Sequence, residues 1–176
     1  MSGYTNFAVA GAGTIGSYIV QQLLKDKAAG IIKEVIVLSR QVKYPSDEYI
    51  INDVLTTRMG VNTKGSKNTV QGDAKVIQVD YSNEASIKHA LTGVDVVIST
   101  VPPTAFDVQW KIATAAKEVD VKLFAPSEYG AISEGKSEGL LVEKAEVQAK
   151  LKALGLPYTA FYTGAFADDF WLPYVS

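Results

Sequence analysis

The stretch Phe7-Ala8-Val9-Ala10-Gly11-Ala12-Gly13-Thr14-Ile15-Gly16 sets a short apolar run directly against three glycines in six residues. The segment after the glycines is helical in pattern. Ile15, Ile19 and Leu23 repeat every four residues with Val20 and Leu24 beside them, and Gly30 stands where such a helix would end. Each glycine has its own task in a strand-to-helix turn: Gly11 lets the chain leave a buried strand sharply, Gly13 leaves room for a pyrophosphate against bare backbone, and Gly16 lets the helix pack close to the strand. The helix N-terminus adds free N–H groups and the positive end of its dipole. Three glycines in six residues also arise in ordinary turns; the strand before them and the helix after them are what make this a predicted dinucleotide site.

The chain has 176 residues, enough for one well-buried domain spanning 1–176 and short for two. Hydrophobic residues make up 47%, a globular share, and no apolar run approaches the length needed to span a bilayer. The N-terminus, Met1-Ser2-Gly3-Tyr4-Thr5-Asn6, lacks the basic start and apolar core of a signal peptide, so a cytoplasmic location is expected and no membrane partner. A net charge of −2 without a basic block gives no reason to expect nucleic-acid binding. The absence of cysteine excludes disulfides and thiolate chemistry. His89 is the only histidine, which leaves no multi-histidine metal site and no ordinary serine–histidine triad; it reads as a solvated helix residue.

Along the rest of the chain, apolar β-branched runs alternate with helical patterns. That alternation predicts an α/β fold, a Rossmann-type doubly wound parallel sheet of about six strands with helices on both faces. The second strand, Glu34–Ser39, ends in Arg40. An acidic residue there would bind a ribose 2′-hydroxyl and repel a 2′-phosphate; a guanidinium pairs with the phosphate, so Arg40 favours NADP over NAD unless it is simply a surface residue. Between Gln41 and Asp73 the pattern is weakest, with a short helix suggested around Tyr49–Leu55 and a polar loop at Thr63–Thr69. The third strand, Ala74–Val79, runs into Asp80. This carboxylate can reach an adenine amino group or can sit at the start of the next helix, where the dipole would stabilise it; Ser82 or Asn83 can cap that helix, which ends at Gly93.

The fourth strand, Val94–Val101, is nearly continuous in its apolar character and is stopped by Pro102-Pro103. Thr100, Val101 and Pro102 then face the nicotinamide side of the cofactor, across the switch point from the glycine turn. Phe106, Trp110 and Ala113 form a helical stripe that reads as core. A fifth strand, Val121–Ala125, leads into Pro126-Ser127-Glu128-Tyr129-Gly130, a turn at the same sheet edge that places Ser127 as a further candidate cofactor contact. A helix from about Leu140 to Leu154 carries an anomaly. Leu140, Lys144, Val147, Leu151 and Leu154 share one stripe, so a lysine takes a position where an apolar residue is expected. Such a lysine must be paired, have a lowered pKa, open onto a cleft, or pack its stem while its amine reaches water. Tyr158–Tyr162 is the sixth strand, and Phe166, Phe170 and Trp171 form an aromatic end that is a candidate surface for self-association.

With these residues in view, the chain resembles the isoflavone reductase-like and NmrA-like group of atypical short-chain dehydrogenase/reductases, especially its fungal members. The resemblance rests on Gly11 to Gly16, Arg40, Gln78-Val79-Asp80-Tyr81-Ser82, Val94–Ser99, Phe124-Ala125-Pro126-Ser127-Glu128-Tyr129-Gly130, and Lys144 upstream of Gly155-Leu156-Pro157-Tyr158-Thr159. It implies that Gly11, Gly13, Thr14 and Ile15 hold the pyrophosphate of NADP(H), that Arg40 reads the 2′-phosphate, and that Lys144 is the catalytic or nicotinamide-positioning lysine. Ordinary short-chain dehydrogenases place a tyrosine four residues before that lysine. Here the position is Leu140, so Lys144 would act itself, or through a water, as general acid or base. The chain departs from many plant relatives at Thr14, where they carry a further glycine, and in its longer Gln41–Asp73 segment. Members of the group are about twice as long and continue into a substrate region after the sixth strand. The resemblance thus implies an NADPH-dependent reductase domain acting on a small aromatic or conjugated substrate. Its rival is an NAD(P)-sensing regulator without turnover, and a non-binding interaction domain is the third reading.

Overall fold

The fold is seen in a computed structural model that describes residues 3–40, 74–137, 141–164 and 166. Strand β1 (Asn6–Ala10) lies at the centre of a five-stranded parallel sheet. It pairs on one side with β2 (Glu34–Ser39), which pairs with β3 (Lys75–Gln78), and on the other with β4 (Val96–Ser99), which pairs with β5 (Leu123–Ala125). The order β3-β2-β1-β4-β5 reverses direction at β1, and the carboxyl ends of β1, β2 and β4 open a crevice there.

Alternation along the central strands explains why both faces are covered. Ala8, Ala10, Ile36 and Leu38 point into one core, while Val9, Val35 and Val37 point into another. The larger core receives Ile87, Ala90 and Leu91 from α2 (Glu84–Leu91), Ile112, Ala113 and Ala116 from α3 (Phe106–Glu118), and Val147 and Leu151 from α4 (Val142–Leu154). The smaller core is closed by Val20, Leu23 and Leu24 of α1 (Thr14–Ala28). Phe106 and Trp110 pack against the larger core, as their stripe predicted. Ile112 and Leu151 are wholly buried, and truncating either to alanine should cost about 2–5 kcal/mol.

The doubly wound α/β architecture is as expected, with one correction to the strand count. Tyr158–Tyr162 contributes a single parallel bridge, Phe124 to Tyr158, rather than a sixth strand. Phe124 N–H donates to Pro157 O at 2.9 Å and Thr159 N–H to Phe124 O at 3.0 Å, and there the ladder stops. Pro157 and Pro126, flanking the bridge on the two segments, have no N–H to extend it. The fourth and fifth strands are also shorter than their apolar runs. Val94, Val101 and Val121 are buried but lie outside the strands, because an apolar run marks burial whereas hydrogen-bonded pairing marks the strand. The expectations for Gln41–Asp73 and for Leu140, Phe170 and Trp171 lie outside the described residues. Phe166 is exposed, and so is His89 on α2.

The Asp95 carboxylate fastens the starts of β1 and β4 together: its Oδ2 accepts from Thr5 N–H at 2.8 Å and Asn6 N–H at 2.9 Å. Among the described residues no helix is long and apolar enough to cross a membrane, and no group of three or more acidic or histidine side chains could hold a metal ion.

Candidate functional site

The turn between β1 and α1 assigns a different constraint to each glycine. Gly11 sits at φ +102°, a conformation that side chains rarely adopt, and a Cβ there would lie 3.0 Å from Thr100 Oγ1 and 3.2 Å from Thr100 O. A Cβ on Gly16 would lie 2.0 Å from Gly11 O and 2.6 Å from Thr100 Oγ1, closer than packing allows. Gly13 is unlike both. Its φ of −70° suits any residue, and a Cβ there would meet nothing within 4 Å among the described residues. Packing among the described residues therefore explains Gly11 and Gly16 but sets no requirement at Gly13, and the bare space beside it fits a phosphate approaching the backbone. Gly13 is also the N-cap of α1, which begins with no side-chain cap and no acidic residue in its first turn. The N–H groups of Thr14, Ile15 and Gly16 thus stand at a helix start that no carboxylate of its own first turn neutralises.

Two adjoining clefts extend from this turn. A cleft of about 250 Å³ lies between Gly11 and Ala12, the end of β2 at Ser39 and Arg40, and Val101 and Pro102 after β4. A larger one of about 590 Å³ continues past Arg40 to Asp80, Ser82 and Lys111. Arg40, Tyr81 and Val108 line both, so Arg40 stands at their junction. The guanidinium forms no ion pair with a carboxylate among the described residues. These features together fit a 2′-phosphorylated dinucleotide: the glycine turn for its pyrophosphate at one end and a guanidinium for its 2′-phosphate at the other, although Gly13 to Gly16 themselves line neither cleft.

Tyr81 and Asp80 shape the larger cleft. Burial pushes the Tyr81 phenol up to about 12, against the opposing charge of Arg40, so the ring stays neutral; its hydroxyl points to Leu38 O at 3.5 Å. Asp80 Oδ1 accepts from Ser82 Oγ at 2.6 Å and Ser82 N–H at 2.9 Å, and these two bonds hold its carboxyl below the usual value. Capping of α2 falls to Asn83, whose Oδ1 accepts from Ala85 N–H at 3.0 Å. Asp80 is left as a cleft-lining carboxylate in a local turn.

The far side of the crevice is built differently. Ser127 Oγ donates to Val101 O at 2.9 Å, and Ser127 N–H donates to the buried Gln109 Oε1 at 2.7 Å, which staples the turn after β5 to the segment after β4 and to α3. Glu128 is fully buried; Ser133 Oγ donates to its Oε2 at 2.6 Å, and Gln148 Nε2 donates to Ser133 Oγ at 2.7 Å and to Tyr162 OH at 3.0 Å. Lys144, half-buried, resolves its anomaly by donating to Glu128 O at 2.9 Å.

Of the residues singled out from sequence, Gly11, Arg40, Val101 and Pro102 line one cleft and Asp80 joins Arg40 in the next. Thr100 and Ser127 hold the backbone of these walls in place, and Lys144 lines neither cleft. The sequence pattern assigns no site role to Tyr81, Lys111 or Gln109. A signal existed for Gln109, three residues after Phe106 on an apolar stripe, whereas Lys111 sits four residues after Asp107 in what reads as an ordinary exposed ion pair.

Residues 6–175 match the model of the NmrA-like family. The chain is 31% identical to isoflavone reductase homolog A622 of Nicotiana glauca, over 94% of this chain and 49% of that protein. It is 34% identical to phenylcoumaran benzylic ether reductase Pyrc5 of Pyrus communis, over 92% of this chain and 49% of the relative. The solved structure "AtPrR2 with NADP+ and (+)pinoresinol" superposes with a TM-score of 0.68 at 26% identity, covering 97% of this chain and 53% of the other. The chain thus spans about half the length of the relatives it matches. A glycine turn, a five-stranded parallel sheet and a family match from the first strand nearly to the last residue agree, and the chain belongs to the NmrA-like family.

Proposed function

We propose that this chain is the NADP(H)-binding part of an NADPH-dependent reductase whose substrate is small and aromatic or conjugated. The observation that carries the cofactor half of this reading is the contrast at the glycine turn: Gly13 is a glycine that packing among the described residues does not require. The names of the relatives, an isoflavone reductase homologue and a benzylic ether reductase, support the reductase half.

The chain's own residues divide the work. The α1 N-terminus from Gly13 to Gly16 donates backbone N–H groups to the pyrophosphate, and Arg40 pairs with the 2′-phosphate. Thr100 and Ser127 keep the walls of the crevice in register. NADPH, when bound, supplies a hydride from its nicotinamide. Lys144 supplies the balancing proton, directly or through water; its ammonium has two N–H donors beyond the one given to Glu128 O. The experiment is consumption of NADPH across a panel of enones and aromatic ethers by the wild type and by Lys144→Met. Turnover that the substitution removes supports the reading, and turnover that survives it unchanged removes Lys144 from the chemistry.

One observation favours a second reading, a regulator that binds NADP(H) without turnover. Lys144 is tied to a main-chain carbonyl and lines neither cleft. Tight NADPH binding with no consumption across the panel would select that reading.

A further inference from the structure

The larger cleft carries a charge that the glycine turn and Arg40 do not account for. Lys111, on α3, lines the same 590 Å³ space as Arg40 from the end of β2. Two separate elements thus bring one cation each to one cleft, together with the hydroxyl-bearing Ser82 and Ser86. Asp80 lines it as well, and its carboxylate opposes any anion that enters. Among the described lining residues Arg40 alone would only cancel Asp80, and Lys111 makes their sum positive.

The lysine is also available. Its carboxylate partner, Asp107, stands at 4.0 Å on the same helix, the outer limit of an ion pair, with half or more of both side chains exposed. A pair of that kind holds a side chain weakly. Lys88, on the neighbouring α2, shows the opposite case: it is gripped by Glu84 and Glu118 together and is committed to joining α2 to α3. The charge of Lys111 is felt inside the cleft, where it adds a small pull to the Ser82 hydrogen bonds that hold the Asp80 carboxyl down.

We infer that Lys111 is a second cation for the ribose 2′-phosphate, sharing with Arg40 the discrimination of NADPH from NADH. The inference rests on the cofactor reading above and adds to it a residue from α3. The test measures dissociation constants of NADPH, NADH and 2′,5′-ADP by titration for the wild type, Lys111→Met, Lys111→Arg and Arg40→Ala. Methionine keeps the packed stem and removes the charge. Lys111→Met should weaken NADPH and 2′,5′-ADP about fivefold while leaving NADH within about twofold, and Lys111→Arg should restore the preference. Equal change for NADPH and NADH, or no change for either, overturns the role of Lys111. If Arg40→Ala abolishes the NADPH preference while Lys111→Met keeps it, this inference fails and the cofactor reading stands. If the wild type binds neither dinucleotide, the cofactor reading itself fails.

Discussion

The Thr100 hydroxyl donates to Gly11 O at 2.7 Å, so the loop after β4 holds the glycine turn by its backbone. Thr100 N–H also donates to Ala10 O at 2.9 Å, and the residue acts as a buttress behind the phosphate turn. Replacing it with valine keeps the shape and removes the hydroxyl donor. Thr100→Val should lose about 1 kcal/mol in denaturant unfolding and weaken NADPH, and Thr100→Ser should recover both. Unchanged stability in the valine variant would show that this bond does not hold the turn.

Gly13 and Gly16 should respond in opposite ways to a small side chain. Alanine is the better helix former by about 1 kcal/mol, so Gly16→Ala inside α1 would stabilise the protein if space allowed. The 2.0 Å approach to Gly11 O decides against it, and a net loss of about 2 kcal/mol is expected. Gly13→Ser enters open space at an N-cap position that serine favours. It should keep or slightly raise the melting temperature while weakening NADPH about tenfold or more. Loss of folding in the serine variant, or full NADPH affinity, would contradict the assignment of Gly13 to the ligand.

Much of this was legible in the chain. The second strand, Glu34–Ser39, ends where its apolar run ends, because Arg40 breaks the pattern at the sheet edge. The tasks of Gly11 and Gly16 could be read because each rests on a local geometric need. The fate of Lys144 could not be read. Helical spacing places it on the buried stripe of α4, but its partner is a main-chain carbonyl sixteen residues earlier, and carbonyl positions leave no mark in side-chain pattern. Lys111 was missed for a related reason: the cleft it lines forms only when β2, the β3–α2 turn and α3 meet.

Acid should loosen the join between β1 and β4. Burial raises the Asp95 carboxyl, but the backbone N–H groups of Thr5 and Asn6, with the Thr5 hydroxyl and the charge of Lys122, outweigh it and hold the group below its usual 3.8. A carboxyl depressed in the folded state stabilises the protein above its unfolded value, and that contribution is lost as the pH falls through the folded value. Unfolding followed from pH 7 to pH 2 should therefore show Asp95→Asn about 1 kcal/mol less stable at neutral pH, with the gap closing below pH 4. A constant gap over the whole range would show that ionisation of Asp95 plays no part.

The buried chain from Glu128 through Ser133 and Gln148 to Tyr162 should fail as a unit. Gln148→Leu leaves the Ser133 and Tyr162 hydroxyls short of a partner, at a cost of about 2 kcal/mol. Tyr162→Phe in that background should cost less than it does alone, as measured by a double-mutant cycle. Additive losses would mean the bonds act independently.

The central claim is that the crevice at the carboxyl ends of β1, β2 and β4 binds NADP(H) and reads its 2′-phosphate through Arg40. Direct titration of the wild-type chain with NADPH and with NADH, followed by calorimetry or by nicotinamide fluorescence, tests it. NADPH should bind about tenfold or more tightly than NADH, and Arg40→Ala should bring the two affinities together. Absence of NADPH binding, or equal affinity for the two dinucleotides in the wild type, would contradict it.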